Sequence, residues 1–177
     1  MKPIQDNTLN STWLKTQLGP MLAIADSKHL FLLEFHGRKG LDQEIERLIK
    51  KTGSEIIEGR NGPINSIESE IDAYFSGKLQ QFKTPIHMFG TPFQQKVWKA
   101  LMQIPFGETK SYKELAEAIE KPTAFRAVAQ ANGKNQLAII IPCHRVINSN
   151  GNLGGYGGGL SNKKSLLIHE GSGIICK

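Results

Sequence analysis

The chain has 177 residues, of which 39% are hydrophobic and 21% are charged, so it is long enough for one domain or two small ones with a packed core. The longest apolar run, Leu137 to Ile141, is far too short to cross a bilayer, and no secretory signal is visible at the start. We therefore expect a cytoplasmic protein that does not contact a membrane. The net charge of +6 lies entirely in residues 86–177, which indicates either a polyanionic partner or a solvated surface with few acids.

The two cysteines, Cys143 and Cys176, are too few for a disulfide framework and are expected to be free thiols in a reducing compartment. Cys176, one residue from the end, is interpreted as an incidental thiol. Four Cys or His residues at zinc-binding spacing do not occur in the sequence, so we expect no structural metal.

Residues 1–85 have the pattern of a small α/β domain. Short apolar or alternating runs, separated by turn residues, predict strands over 13–17, 21–25 and 30–35. Apolar residues at helical spacing predict helices over 41–49 and 64–75, and a further strand is predicted over 54–57. Nothing in this half has the pattern of a catalytic site, so we interpret it as a structural domain.

Residues 86–177 begin with helical signals. Thr91 and Pro92 open one helix, and Ser111 with Glu114 forms the capping box of another. Lys121-Pro122 ends the second helix, and Thr123 is predicted to cap a third that runs to about residue 133. The helix that begins at Ser111 and the helix that Thr123 caps together resemble a helix-turn-helix, although many helical hairpins bind nothing. The third helix has a face of small residues beside one long side chain, and the residues concerned are Ala124, Ala127, Ala131 and Arg126.

The β-branched run 137–141 predicts a buried strand that ends at Pro142 and presents Cys143 where the chain turns. A thiolate is the nucleophilic form of cysteine, and the adjacent His144 favours it. Glu170 is the only acid in the last 57 residues, so it is the candidate partner for the imidazole. Neighbours on an extended chain point to opposite sides, so a bridging water or a bend after Pro142 would carry the proton.

A glycine-rich segment follows, with six glycines between residues 151 and 159. It lacks the Lys-Ser/Thr of a phosphate-binding loop, and the embedded Leu153 and Tyr156 favour a shaped wall over a mobile linker. Ser161 is predicted to begin the last helix, with residues 166–168 buried.

Taken together, these motifs resemble the O6-alkylguanine-DNA alkyltransferases, also called methylated-DNA–protein-cysteine methyltransferases. The resemblance is strongest between Phe93 and Gly171, and its motifs are Ile141-Pro142-Cys143-His144-Arg145-Val146, Gly154 to Leu160, and His169-Glu170-Gly171. It implies a ribonuclease-H-like α/β domain, a small sheet with helices, over residues 1–85. The implied second domain, over residues 86–177, is mostly α, with a helix-turn-helix and a short buried strand. The chain looks like the stand-alone bacterial type, or like the repair part of a longer regulator.

The resemblance implies that Cys143 takes the alkyl group from guanine O6 irreversibly, once per molecule, with no cofactor and no metal. His144, working through water and oriented by Glu170, would take the thiol proton, and Tyr112 would donate a hydrogen bond to the departing guanine. Asn135 would tie the Cys143 segment to the helix-turn-helix. The substrate pocket would be formed by Tyr156, by backbone amides near Gly157 and Gly158, and by the carbonyls of Cys143 and Val146.

The implied partner is double-stranded DNA containing O6-alkylguanine, with O4-alkylthymine as a further substrate, bound through the minor groove by a monomer. The target base must leave the stack to be reached, and Arg126 would fill the space that it vacates. The other residues expected to bind DNA are Thr123, Ala127 and Ala131. Three consecutive glycines at 157–159 indicate a roomier or more mobile pocket wall that would tolerate adducts larger than methyl.

Two other functions fit part of the sequence pattern. A helix-turn-helix regulator without catalysis would explain the basic half, but it gives no role to Cys143 and Glu170. A cysteine hydrolase would use Cys143 and His144, but it has no need of the helix pair.

Overall fold

A computed structural model describes residues 7–173, so the prediction about Cys176 lies outside the described residues. The first half forms a four-stranded sheet in the order β3-β2-β1-β4, in which β1 to β3 are an antiparallel meander and β4 lies parallel to β1. The strands are β1 (Thr8–Leu14), β2 (Met21–Ala25), β3 (Leu30–Phe35) and β4 (Glu55–Glu58). Three of the four were predicted closely, whereas the first lies earlier than the predicted 13–17.

Helices cover both faces of this sheet. Helix α1 (Leu41–Thr52) packs on one face, where Leu41 and Leu48 meet Leu22 and Ile24 of β2. Helix α2 (Gly62–Phe75) packs on the other face, against the alternate residues of β2. Every residue of β2 is consequently buried, because each face of the strand is covered by a helix.

The second half contains the remaining four helices and a pair of very short parallel strands. They are α3 (Pro92–Leu101), β5 (Lys110–Ser111), α4 (Tyr112–Ala118), α5 (Phe125–Gly133), β6 (Val146–Ile147) and α6 (Leu160–His169). The capping residues predicted for α3 and α4 are confirmed, since Thr91 with Gln94 and Ser111 with Glu114 each form a reciprocal capping box. The α/β first domain and the mostly helical second domain therefore agree with the expected fold class.

Two predictions about the helices are wrong, the cap of α5 and the burial of Ile168, whereas α6 begins within one residue of the predicted start. Thr123 does not cap α5, because Pro122–Ala124 form a separate tight turn and α5 begins after Ala124 without a side-chain cap. Helix α6 begins at Leu160, directly after Gly159, and its residue Ile168 is 60% exposed instead of buried.

The two halves meet along β3, which is an edge strand of the sheet. Leu30 exchanges backbone hydrogen bonds with Pro85 and His87, and Leu33 does so with Gln136 and Ala138. The segment before Cys143 is thereby fixed directly against the first domain. None of the helices within residues 7–173 is both long and apolar enough to cross a membrane.

Candidate active site

Cys143 lies at the end of a buried turn, not at the end of a strand. Leu137 makes a single bridge to Leu33, residues 138–140 turn, and Ile139 adopts a positive φ of 72°. The predicted strand over 137–141 is wrong, because its pairing with β3 is limited to Leu33, and the residues after Ala138 bond to their own turn and to Asn135.

Asn135 holds the turn through its side chain. Its Nδ2 donates to the carbonyl of Ile141 at 2.8 Å and to the Sγ of Cys143 at 3.1 Å, and its Oδ1 accepts from the backbone N–H of Leu137 at 2.9 Å. The side chain therefore fixes both ends of the turn and contacts the thiol itself.

The thiol of Cys143 is only 7% exposed. Burial raises the pKa of Cys143 to about 11, although the hydrogen bond from Asn135 opposes this. The sequence favoured a thiolate because of the adjacent imidazole, but burial has the larger effect. A general base is consequently needed to remove the proton.

His144 is the fully buried base candidate. A carboxylate can only accept, so Nε2 of His144 carries the proton that it donates to Oε1 of Glu170 at 2.8 Å. Its other nitrogen, Nδ1, has no hydrogen-bond partner within the described part of the chain. Burial lowers the pKa of His144, so the ring is neutral and Nδ1 can accept a proton. The residues Cys143–Arg145 form a tight turn, which supplies the bend that the sequence required.

Glu170 ends α6 and is held by Arg145. The guanidinium Nε donates to Oε2 at 2.8 Å and Nη2 donates to Oε1 at 2.9 Å, while Nη1 donates to the carbonyl of Ile104 at 2.6 Å. Burial alone would raise the pKa of Glu170, but the hydrogen bonds from His144 and Arg145 outweigh it and hold that pKa well below its usual range. Glu170 is therefore a carboxylate at neutral pH.

A cavity of about 260 Å³ opens onto Cys143. Six of the predicted site residues line it, namely Tyr112, Asn135, Cys143, Tyr156, Gly157 and Gly158. Tyr112 is half-buried, and burial followed by the nearby Cys143 raises the pKa of its hydroxyl, which keeps it a hydrogen-bond donor.

The glycine-rich segment 151–159, called the glycine wall below, is close-packed against side chains of the first domain. A Cβ on Gly158 would lie 2.5 Å from the ring of Phe35 and 2.8 Å from the ring of Tyr156, and one on Gly157 would lie 2.9 Å from Nε of Arg38. The room that the glycines create is thus occupied by Phe35 and Arg38, so they do not by themselves enlarge the pocket.

Two charged residues of the first domain also line the cavity, and the sequence did not indicate them. Nη1 of Arg38 lies 2.8 Å from Oε1 of Glu34, and Nη2 of Arg38 donates to the carbonyl of Gly133 at 3.1 Å. Burial raises the pKa of Glu34 to about 8, with Arg38 opposing the rise. No local pattern marks this pair, because its importance arises only when the two domains meet.

Lys163 is a second residue that the sequence did not single out. It is fully buried, and its Nζ donates to the carbonyls of Val146 at 2.6 Å and Gly155 at 3.2 Å. Burial lowers the pKa of Lys163 to about 8. The side chain links the segment after Cys143 to the glycine wall. Val146, whose carbonyl is expected to bind the guanine amino group, is fully buried and is not among the residues that line the cavity.

Three of the four residues expected to bind DNA are exposed, and one is buried. Arg126 and Ala127 at the beginning of α5 and Thr123 in the turn before it are exposed, whereas Ala131 is only 3% exposed and its carbonyl accepts from Nε1 of Trp98 at 2.9 Å. The prediction that Ala131 lies on the DNA-facing surface is wrong, because the end of α5 packs on α3. Phe125, 44% exposed, has the guanidinium of Arg126 5.7 Å from its ring centre.

Fold and site together define a two-domain protein in which a helix-turn-helix domain carries a buried cysteine. Beside this cysteine lies the hydrogen-bonded pair of His144 and Glu170, called the relay below. Two family models match the chain. The DNA-binding domain of 6-O-methylguanine DNA methyltransferase covers residues 92–172, and the ribonuclease-like domain of the same proteins covers residues 10–88.

Known proteins that are similar to the chain belong to the same family as these models. A methylated-DNA–protein-cysteine methyltransferase of Methanosarcina barkeri is 43% identical over 158 residues, which are 89% of this chain and 94% of that protein. One from Mycobacterium leprae is 53% identical over 110 residues, covering 62% of this chain and 67% of the relative. The crystal structure of Mycobacterium tuberculosis OGT in complex with DNA superposes with a TM-score of 0.78 at 37% identity and covers 93% of both chains. The chain belongs to the 6-O-methylguanine DNA methyltransferase family, as its motifs indicated.

Proposed function

We propose that this protein repairs DNA by moving the alkyl group from O6 of guanine to Sγ of Cys143, once per molecule. The observation that carries the proposal is the position of Cys143, which opens into a cavity while its neighbour His144 is bonded to Glu170. Membership of the family supplies the substrate class, since its curated members are named for methylated DNA and for a protein cysteine.

The proton moves first. The thiol of Cys143 has a raised pKa, so it needs a base, and Nδ1 of His144 is free to accept the proton through a bridging water. Glu170, kept ionised by Arg145, stabilises the imidazolium that forms.

The alkyl group then moves in a single displacement. The thiolate attacks the alkyl carbon, a carbon–sulfur bond forms, and the bond from that carbon to O6 breaks with its electron pair left on guanine. Tyr112 donates a hydrogen bond to the base as this charge develops, and the proton lost by sulfur is balanced by one gained by guanine. The thioether product has no leaving group for water to displace, so the protein is consumed. None of these steps uses a cofactor or a metal.

The substrate base reaches the cavity by leaving the duplex. O6 inside a stacked base pair is inaccessible to a nucleophile, and extrusion costs a few kcal/mol. In this proposal, the exposed Arg126 and Ala127 at the beginning of α5 and Thr123 in the turn before it bind the minor groove, and the long Arg126 side chain fills the vacated stack.

Base recognition is assigned to groups around the cavity. Backbone amides near Gly157 and Gly158 would bind O6, and the carbonyl of Cys143, together with that of Val146 just beyond the cavity lining, would accept from the guanine amino group. O4-alkylthymine offers the same alkoxy group and is proposed as a second substrate. The protein is proposed to act as a monomer, with its domains divided after residue 85.

Intact-protein mass spectrometry after incubation with an O6-methylguanine duplex tests the proposal. We expect the wild-type mass to increase by one methyl group, with no increase for Cys143→Ser. A wild-type protein that binds the duplex but stays unmodified in excess lesion would overturn the proposal and favour a helix-turn-helix regulator.

A further inference from the structure

Tyr74 connects the first domain to the catalytic relay. It lies near the end of α2, is fully buried, and donates its hydroxyl to Oε1 of Glu170 at 2.7 Å. The two residues are 96 positions apart in the sequence. Within residues 7–85, Tyr74 is the one residue whose side chain forms a hydrogen bond with His144 or Glu170.

The position of Tyr74 is fixed at both ends by His169, the last residue of α6, and by Glu170, which follows it. His169 donates from Nε2 to the backbone carbonyl of Tyr74 at 2.8 Å, and Glu170 accepts from its hydroxyl. The ring packs against Phe82 and Phe106, with ring centres 5.5 and 6.0 Å away. The hydroxyl therefore has little freedom to turn away from the carboxylate.

Oε1 of Glu170 is a shared acceptor. It accepts from Tyr74, from Nε2 of His144 at 2.8 Å and from Nη2 of Arg145 at 2.9 Å. Donors on one oxygen compete for its charge, so each donor that is removed leaves more negative charge for the others. Without the Tyr74 hydroxyl, the carboxylate would hold the His144 proton more tightly.

We propose that Tyr74 is a positioning residue of the alkyl-transfer reaction, whose hydroxyl fixes the Glu170 carboxylate and limits its pull on the His144 proton. The inference rests on the proposed function. It gives the first domain a part in the chemistry through a single hydrogen bond, in addition to its packing role.

The electrostatic surroundings of His144 set the direction of the expected effect. Burial lowers the pKa of His144, Glu170 raises it, and the positive charges of Arg145 and Lys163 lower it. Burial and Glu170 raise the pKa of Tyr74, so its hydroxyl stays protonated and donates throughout the working range. Loss of that hydroxyl strengthens the effect of Glu170 and raises the pKa of His144.

The test is the pH dependence of single-turnover alkyl transfer by full-length wild-type and Tyr74→Phe proteins. The reaction needs neutral His144, so the rate rises with pH through the pKa of that ring. In Tyr74→Phe we expect the rise to move to higher pH, which slows transfer about three- to tenfold on the acidic side, the scale of one hydrogen bond. Above that range the two rates should converge.

Phe75→Leu is the matched control, because it reduces packing beside Tyr74 without removing a hydrogen bond, and its pH midpoint should equal that of the wild type. A Tyr74→Phe rate that falls equally at every pH, or that does not change, would overturn the proposal.

NMR titration of the His144 ring, assigned with His144→Gln, separates this inference from the proposed function. The His144 midpoint should rise in Tyr74→Phe whether or not alkyl transfer occurs, and an unchanged midpoint would contradict the inference. Absence of transfer in the wild type would instead contradict the proposed function.

Discussion

The Cys143 site and the exposed beginning of α5 differ most in how firmly their side chains are held. At the first, Asn135, Arg145 and Lys163 are buried and hydrogen-bonded to the segment around the thiol. At the second, Arg126 is exposed and its neighbour in space is the ring of Phe125. The reactive cysteine is thus held on a rigid base before substrate arrives, whereas the exposed side chains that we propose to bind DNA stay free to adapt to the duplex. Substitutions in the two regions should affect stability very differently.

Glu170→Gln should have the largest effect on stability. It leaves the buried Arg145 without a compensating charge, and breaking a buried pair in this way costs about 3–5 kcal/mol of the free energy of unfolding. Urea unfolding at pH 7 measures it. Glu68→Gln is the control, since Glu68 pairs with Arg60 where both side chains are about 40% exposed, and its cost should stay below about 1 kcal/mol.

The loss in Glu170→Gln should also depend on pH. Because the pKa of Glu170 is lowered in the folded protein, its contribution is fully present above the unfolded-state pKa and is lost as the pH falls towards the folded value. The difference between the two proteins should stay constant from pH 7 to about 5 and narrow below about 4.3. A difference that grows on acidification would contradict the ionised state of Glu170.

Gly158→Ala should have an intermediate effect, because its Cβ would lie 2.5 Å from the Phe35 ring. Overpacking of this kind costs about 1–3 kcal/mol. Gly155→Ala is the matched control in the same segment, since its Cβ would meet no atom within 4 Å. Equal unfolding midpoints for both variants would show that the wall is mobile, as the run of glycines had indicated, and not packed against the first domain.

Arg126→Ala should change the free energy of unfolding least, by no more than about 0.5 kcal/mol, because the side chain is exposed. Its effect should appear in function: repair of a methylated duplex should slow about tenfold or more, since base extrusion costs a few kcal/mol, while reaction with free O6-methylguanine is unchanged. Lys99→Ala, an exposed charge on α3, controls for net charge. Equal losses on duplex and free base would remove the stack-filling role.

Local signals in the sequence were sufficient to predict most helices and the partner of His144. Caps at Thr91 and Ser111 start their helices through reciprocal hydrogen bonds that involve residues three positions apart, so the sequence shows them directly. Glu170 was identified because acids are scarce near it, and it does bond to His144. Signals of this kind need no knowledge of the tertiary structure.

The features that were missed depend on distant contacts. Residues 137–141 have the composition of a strand, yet the Asn135 side chain bonds their backbone and Ile139 adopts a positive φ, so tertiary context overrides β propensity. Tyr74 bonds to a residue 96 positions away, and no local pattern marks such a partner. Lys163 is flanked by the polar residues Asn162 and Lys164, which favour an exposed position, although it is buried.

The pairing of β3 with residues 85–87 and 136–138 also affects how the domains fold and whether they aggregate when separated. An uncovered edge strand is a template for pairing with other chains. Here Gln136 and Ala138 of the second domain cover part of that edge by their backbone hydrogen bonds to Leu33. Separating the domains would expose the backbone groups of Leu33 in one fragment and those of Gln136 and Ala138 in the other. The first domain expressed without the second should therefore be prone to aggregation, and the reactive turn expressed alone should lose its support.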